Sequence, residues 1–575
     1  MFMEKIKKIV DNKEFLTALL VIFVLVGILF RIDHLYKPGG LWTDEIISYS
    51  IAKQSFPLGI MNHLYAFDSE PPLWFFFLNI WMKIFGNSDL SLRYSSVLTA
   101  VLSIPAAYFA GKELSSRYTG VLAAIFTAIN SLLIYYSQEV RFYSMFSLFS
   151  ALSILFLLKI KNNPNKKNYA LSILSNLLVL YTATLGIIFV FSEVLIFFAY
   201  LLYKHKKQLK PFIYSQLITL ILFLPQLIFI LSRLGEFDNR FLPPFSWYQF
   251  NILDVMIVLQ HVLTPVFSIQ LGIVNIINTI NSGITTDISY ITLFLITPVL
   301  ISLLAIMNVF VKRRFSALLF AMIILFGIIE IIMAIKGMMP VRSRYAIVIM
   351  PVLLLVIADG LSNIRNKSLA GILVFILISV NFSYTGFDPL GTPKLGRDDQ
   401  YKLIADMLEK FPLDKRDFLV MPFNGGKYLD RYYEKTQTFP LDVGEISTDK
   451  DQITQQVLNK QQIKMLSQTT APIIFRNYIA SPDIPPAFEK YIKKELIDKL
   501  QKGRYVAFIM MRPYLPYTKA ELLDIAGNDA AYNSQIFGNM LRTKTTYNIF
   551  DVISSFLKPV AYESQGSMDI IIFQK

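Results

Sequence analysis

From Phe15 to Leu73 the chain reads FLTALLVIFVLVGILFRIDHLYKPGGLWTDEIISYSIAKQSFPLGIMNHLYAFDSEPPL. The first 16 residues, Phe15 to Phe30, are almost wholly apolar. At about 1.5 Å per residue they extend ~24 Å as a helix, enough for a short membrane crossing. Lys5, Lys7 and Lys8 precede the run and no small-residue cleavage site follows. It reads as an uncleaved signal anchor with its amino end in the cytoplasm. The next part, Lys37 to Leu73, is an amphipathic loop rather than a short polar turn. It carries adjacent carboxylates, Asp44 and Glu45, and a third acid, Glu70, abutting Pro71-Pro72. Carboxylates held against a membrane surface suit chemistry on a lipid-carried substrate.

The rest of the composition agrees with a membrane protein. Of the 575 residues, 54% are hydrophobic, with 47 Phe and 30 Tyr, more apolar surface than a soluble globular domain uses. Repeated runs of about 20 apolar residues mark a polytopic α-helical protein of the cell membrane. The net charge of +14 is not a nucleic-acid signal, because Lys and Arg accumulate in cytoplasmic loops. Cysteine is absent, which excludes disulfides, thiolate nucleophiles and iron–sulfur ligation.

Short basic loops lie at Lys112–Arg117, Lys159–Lys167, Lys204–Lys210, Lys312–Arg314 and Arg365–Lys367. All are cytoplasmic if spans fall near 14–32, 92–111, 118–136, 139–160, 168–182, 184–203, 211–232, 289–311, 315–335, 340–360 and 368–383. That is about 11 crossings, with the carboxyl end outside. Pro71–Phe85 is then an interfacial or partly inserted helix. Residues 1–388 form the membrane domain, with external loops at 33–91 and 232–289. The second loop contains RFLPPFSWYQFNILDVMIVLQHVL, whose spacing predicts a helix lying on the membrane. Residues 389–575 mix helical stretches (DDQYKLIADMLEKF) with apolar runs (DFLVMPF, APIIF, YVAFIMM, DIIIF). They predict one extracytoplasmic α/β domain.

Several residues are candidates for chemistry. Asp44 and Glu45 open the helix TDEIISYSIAKQ, where the bland reading is a cap by Thr43 or Asp44 and acids at the positive helix end. Trp42, Ile46, Ile47 and Ile51 also turn that helix toward the membrane surface, where a carboxylate in low dielectric becomes a stronger base. Glu70 is aimed by the two prolines after it, or is a solvated acid ahead of a helix with proline at its first position. Arg93, Gln138–Tyr143 and Arg344-Tyr345 each open a membrane segment, a usual place for interfacial anchors. The topology, however, puts Glu139, Arg141, Arg342 and Arg344 on the outer face, where positive charge does not normally collect. A phosphate or pyrophosphate, paired bidentately, would account for them. Of the four histidines, His261 with Glu70 or Asp44 is the candidate for a divalent cation. No His/Glu spacing motif backs it, and an amphipathic-helix surface position is the other reading.

Together these segments resemble the GT-C integral membrane glycosyltransferases, in their protein O-mannosyltransferase-like and aminoarabinose-transferase-like branch. The matching motifs are LWTDE, EPPLWFFFLNIWMKIFG, SLRYSSVL, YYSQEVRFYS, SRYAIVIMP and RFLPPFSW. They occur within about residues 10–360, in the family's order. The resemblance implies an inverting transfer of a sugar from a polyprenyl-phosphate donor to a hydroxyl on a protein, lipid or glycan. Asp44 would be the general base and Glu45 would orient it or the acceptor. Arg93, Arg141 and Arg344 would hold the donor phosphate, Glu139 would fix an arginine, and Tyr143 and Tyr345 would complete the substrate site. Many relatives have His before the Pro-Pro pair, and the aminoarabinose branch has Lys. Glu70 in that place shifts the implied contact from phosphate toward sugar or metal.

The alternative is a transporter or flippase for lipid-linked glycans. Such proteins usually show paired halves and midplane charges, whereas the ionisable residues singled out here cluster at helix ends. A receptor-like assembly protein would leave the Asp44 loop and the outward arginines unexplained.

Overall fold

The computed structural model describes residues 12–33, 35–36, 39–67, 70–240, 255, 258–259, 297–312, 314–336, 342–386, 401–421, 429–439, 492–511, 552–565 and 568–575. They fall into two compact units. The first takes most of residues 1–393. The second gathers Lys37–Ser50, Ser232–Gln249 and Lys394–Lys575.

The first unit is helical. In chain order it contains α1 (Lys13–Ile32), α3 (Leu58–Phe67), α4 (Leu73–Phe85), α5 (Asp89–Leu114), α6 (Arg117–Ile129), α7 (Ser131–Ser137), α8 (Tyr143–Asn162), α9 (Lys166–Thr182) and α10 (Gly186–Lys204). α11 (Lys206–Arg240, in this unit through Leu231), α12 (Thr297–Val311), α13 (Ser316–Ile335), a 3-10 helix (Ser343–Val348), α14 (Met350–Ser362) and α15 (Lys367–Gly386) follow. Helix α2 (Thr43–Ala52) belongs to the second unit through Ser50.

Six of the described helices, α1, α5, α8, α10, α11 and α13, are long and apolar enough to cross a membrane; α6 with α7 makes a seventh, bent by 54°. α4, α12, α14 and the first part of α15 are apolar but shorter. The chain is a multi-pass membrane protein. α4, at 13 residues, extends only ~20 Å, too short to span alone. Every residue of α14 is buried, as expected of a helix apolar all round; it packs against α5, α6, α8, α12 and α13. By contrast α11 exposes Leu217, Ile218, Leu220, Ile221 and Leu222, the pattern of a lipid-facing surface.

Small and polar side chains join the helices. A Cβ on Gly111 would sit 2.7 Å from the Gly120 Cα, so α5 and α6 approach to backbone contact there. Ser153 on α8 lies within hydrogen-bond reach of Asn176 on α9 and Glu193 on α10. Such bonds cross-link helices where apolar burial gives no net driving force between them.

Three expected spans begin or run differently. The 118–136 span breaks at Asn130, whose side chain accepts from Leu133 N at 3.1 Å and starts a new helix there. A short amide competes with the helical backbone for its own hydrogen bonds. The 139–160 span starts at Tyr143, leaving Gln138–Phe142 as a turn. The 340–360 span divides into the 3-10 helix and α14, because Pro351 in the first turn of α14 has no N–H to continue an incoming helix.

In the second unit, α16 (Tyr401–Leu408) accompanies a five-stranded sheet of order β2-β1-β3-β5-β4. The strands are β1 (Phe418–Val420), β2 (Gln437–Phe439), β3 (Tyr505–Met511), β4 (Lys558–Gln565) and β5 (Met568–Gln574). β1 pairs in parallel with β2 and β3, while β5 runs antiparallel to β3 and β4. Val420, Leu496, Val506, Phe508, Ile553 and Phe573 form its core. Three of the four apolar runs marked as strands become β1, β3 and β5; APIIF lies outside the described residues. The edge strands β2 and β4 carry no long apolar run, so the sequence does not announce them.

Candidate functional site

In the first unit, six of the expected residues stand on elements that pack together. Arg93 lies in the second turn of α5, and Glu139 and Arg141 in the turn between α7 and α8. Tyr143 is the first residue of α8, and Arg344-Tyr345 sit on the 3-10 helix. α5 packs against α7 and α8, and the 3-10 helix against both α7 and α8. Arg93 is 1% exposed and donates to Leu35 O at 3.3 Å. Glu139 is buried, and its carbonyl accepts from the Ser96 hydroxyl one turn beyond Arg93. Arg141 and Arg344 are half-buried. The Arg141 guanidinium lies 5.2 Å from the Phe142 ring centroid and 5.9 Å from that of Tyr143. Arg344 lies 5.4 Å from the Tyr345 ring. Aromatic faces orient a guanidinium at little desolvation cost. Arg342 is exposed.

Glu70 contacts a different part of the unit. Its Oε2 accepts from Thr184 N at 3.1 Å and Thr184 Oγ at 3.3 Å. The carboxylate thus holds the α9–α10 turn, near the amino end of α10 where the helix dipole favours an anion.

In the second unit, the adjacent acids have separate environments. Glu45 is fully buried, and its Oε2 accepts from Trp42 N at 3.1 Å. That is an acid at the third helical position reaching back to the N-cap amide, one half of a capping box. The Thr43 hydroxyl lies 2.9 Å from the Tyr401 hydroxyl. Asp44 is half-buried, and its carbonyl accepts from the Ser48 hydroxyl.

His261 and the RFLPPFSW motif lie outside the described residues. Among the described residues no group of three or more His, Asp or Glu side chains is placed to hold a metal ion.

Arg31 escapes the sequence reading of the first unit, and Gln138 enters it only as opening a membrane segment. Arg31, at the end of α1, is fully buried and donates to Gly27 O at 2.9 Å, Ala128 O at 2.7 Å and Thr127 O at 2.9 Å. The last two are carbonyls that the break at Asn130 deprives of helical partners. Gln138 reciprocates: its Nε2 donates to Phe30 O, Arg31 O and Asp33 O, at the end of α1. Arg31 thus caps the end of α6 and Gln138, just after α7, caps the end of α1, and the pair holds the turn that carries Glu139 and Arg141. Beside them, Arg31, Ser103, Tyr136, Ser144 and Ser147 line a cavity of about 10 Å³. Among the described residues, neither Arg31 Nε nor Ser147 Oγ has a hydrogen-bond partner; one water molecule fits the space and the chemistry. Only an arginine just after an apolar run signals this in sequence, and such residues are usually interfacial. Arg31→Met, which leaves the Thr127 and Ala128 carbonyls without donors, is expected to destabilise the bundle by about 1–3 kcal/mol. Thermal unfolding in detergent measures this; an unchanged midpoint would remove Arg31 from the account.

Residues 69–229 match the family model described as Dolichyl-phosphate-mannose-protein mannosyltransferase. No curated protein matches significantly. Among solved structures, ArnT from Cupriavidus metallidurans bound to undecaprenyl phosphate aligns with a TM-score of 0.52 at 12% identity, over 97% of this chain and 98% of that one. The apo state of the same protein gives 0.55 at 11% identity over the same shares. The archaeal oligosaccharyltransferase AglB from Archaeoglobus fulgidus, in complex with an inhibitory peptide and a dolichol-phosphate, gives 0.49 at 12%, over 86% of this chain and 69% of that one. These likenesses are of fold: the chain shares the architecture of ArnT over nearly the whole length of both chains.

Proposed function

We propose that the protein is an inverting glycosyltransferase that moves a sugar from a polyprenyl-phosphate donor to a hydroxyl group at the outer membrane face. Its acceptor is a lipid, a glycan or a protein. The observation that carries this reading is the gathering of Arg93, Arg141 and Arg344 on packed elements of a bundle with the fold of ArnT, a protein solved with undecaprenyl phosphate. Guanidinium groups that meet a donor phosphate become more favourable as negative charge develops on the leaving group, so they lower the barrier rather than only tighten binding. Glu139 orients an arginine, while Tyr143 and Tyr345 shape the donor site. Glu70, hydrogen-bonded to Thr184, belongs to the substrate side of this arrangement through the α9–α10 turn that it holds.

Asp44 is the general base. It removes the acceptor hydroxyl proton as that oxygen attacks the anomeric carbon, and polyprenyl phosphate departs from the opposite face. A single displacement of this kind inverts the anomeric configuration. Glu45 sets the direction of α2, and so of Asp44, through its bond to Trp42 N. The basic amino-terminal segment and loops support an orientation with the amino end in the cytoplasm and the carboxyl-terminal unit outside.

Mass spectrometry of lipid carriers and surface glycans in a strain lacking the protein tests the proposal. One polyprenyl-phosphate sugar is expected to accumulate while one sugar disappears from an envelope glycan, lipid or protein. Unchanged carrier and glycan profiles would overturn it.

A further inference from the structure

The segment around Asp44 is gripped from both sides by residues that lie some 350 positions or more further along the chain. Ahead of it, Leu41 N donates to the Tyr432 hydroxyl at 2.8 Å, Lys402 N donates to Gly39 O at 3.2 Å, and the Thr43 hydroxyl lies 2.9 Å from the Tyr401 hydroxyl. Behind it, the Arg431 guanidinium lies 3.9 Å from the ring centroid of Tyr49. Leu41, Tyr49 and Tyr401 are all buried. Between these contacts Gly40 adopts φ +80°, where a Cβ would fall 2.6 Å from the Tyr432 hydroxyl and 2.9 Å from the Lys402 Cβ. Only glycine combines that backbone with so close an approach.

Two hydroxyls, one backbone amide and one stacked guanidinium thus define the path of residues 39–49. We infer that Tyr401, Arg431 and Tyr432 are positioning residues for the transfer reaction, through which the carboxyl-terminal α/β part sets the place of Asp44. The inference rests on the reading of Asp44 as the base. Contacts that served only to bury the loop would need apolar area, not hydroxyls directed at Leu41 N and the Thr43 side chain. A base displaced by about 1 Å can cost on the order of 100-fold in rate, so a clamp of this kind acts on turnover. Donor affinity, assigned to arginines of the membrane unit, is left nearly unchanged.

The test uses the full-length protein in lipid nanodiscs with a polyprenyl-phosphate sugar as donor, and measures kcat, donor KM and thermal unfolding for each variant. The double variant Tyr401→Phe/Tyr432→Phe keeps both rings and removes both hydroxyls. It is expected to lose about 10- to 100-fold in kcat, with donor KM within about twofold and the unfolding midpoint nearly unchanged. Thr43→Val should lose rate and Thr43→Ser, which retains a hydroxyl, should keep it. Full kcat in the double variant, or a loss that tracks a lowered midpoint, overturns the clamp. The same pair of changes in an Asp44→Asn background separates the two ideas. If the clamp works through Asp44, it has no further effect on the residual rate there. If Asp44→Asn is inactive while the double variant is fully active, the clamp alone fails; if Asp44→Asn is fully active, the base assignment fails first.

Discussion

Asp44→Asn is expected to lower kcat for sugar transfer by about 10²- to 10⁴-fold, the usual contribution of a positioned general base. The exchange keeps size and shape and removes only the ability to take a proton. Asp44 is half-buried at the start of α2. Because the exchange is isosteric, expression and the unfolding midpoint are expected to stay close to those of the parent protein, so the loss of rate is read on folded enzyme. Glu45→Gln provides the contrast. Glu45 is fully buried and bound to Trp42 N, so its amide variant weakens a helix cap worth about 1 kcal/mol without deleting the base. Both variants should be assayed as purified protein with a polyprenyl-phosphate sugar and an acceptor from the native envelope. Full turnover by Asp44→Asn would refute the assignment.

Arg344 gives the second large effect. Arg344→Ala is expected to raise the donor KM by about 10- to 100-fold, whereas Arg344→Lys should fall between parent and alanine variant. Lysine keeps the charge but offers a point donor in place of a planar fork, and it loses the orientation that the Tyr345 face gives the guanidinium. Equal KM values for the two variants would mean that charge alone acts there, and bidentate phosphate recognition would be excluded. A fall in kcat with donor KM unchanged would mean that the Arg344 contact strengthens only in the transition state, as charge develops on the leaving phosphate.

Much of the bundle was legible in sequence because a bilayer demands long apolar helices, and α1, α5, α8, α10, α11 and α13 meet that demand by composition. The segments carrying Arg93, Glu139, Arg141 and Arg344 were legible as polar breaks in that pattern. Hydropathy could not show the bend at Asn130, since it depends on one amide bond to Leu133 N. Nor could it show the division at Pro351, since a window of apolar residues reads the same through a 3-10 turn. In Asp44-Glu45 the sequence offers two equivalent carboxylates. Burial separates them, committing Glu45 to Trp42 N and leaving Asp44 at the half-buried position.

Membrane residence, the approximate run of apolar segments and the residue types able to meet a phosphate follow from the chain itself, because each is a property of local composition. Other features exist only once the chain has folded. Arg31 caps the end of α6 and Gln138 caps the end of α1, each about a hundred positions away, and Tyr432 reaches back 391 positions to Leu41. The physical reason is the same for both. A buried amide, carbonyl or guanidinium must find a hydrogen-bond partner wherever the fold supplies one, and nothing in a local stretch of sequence says which distant residue that will be.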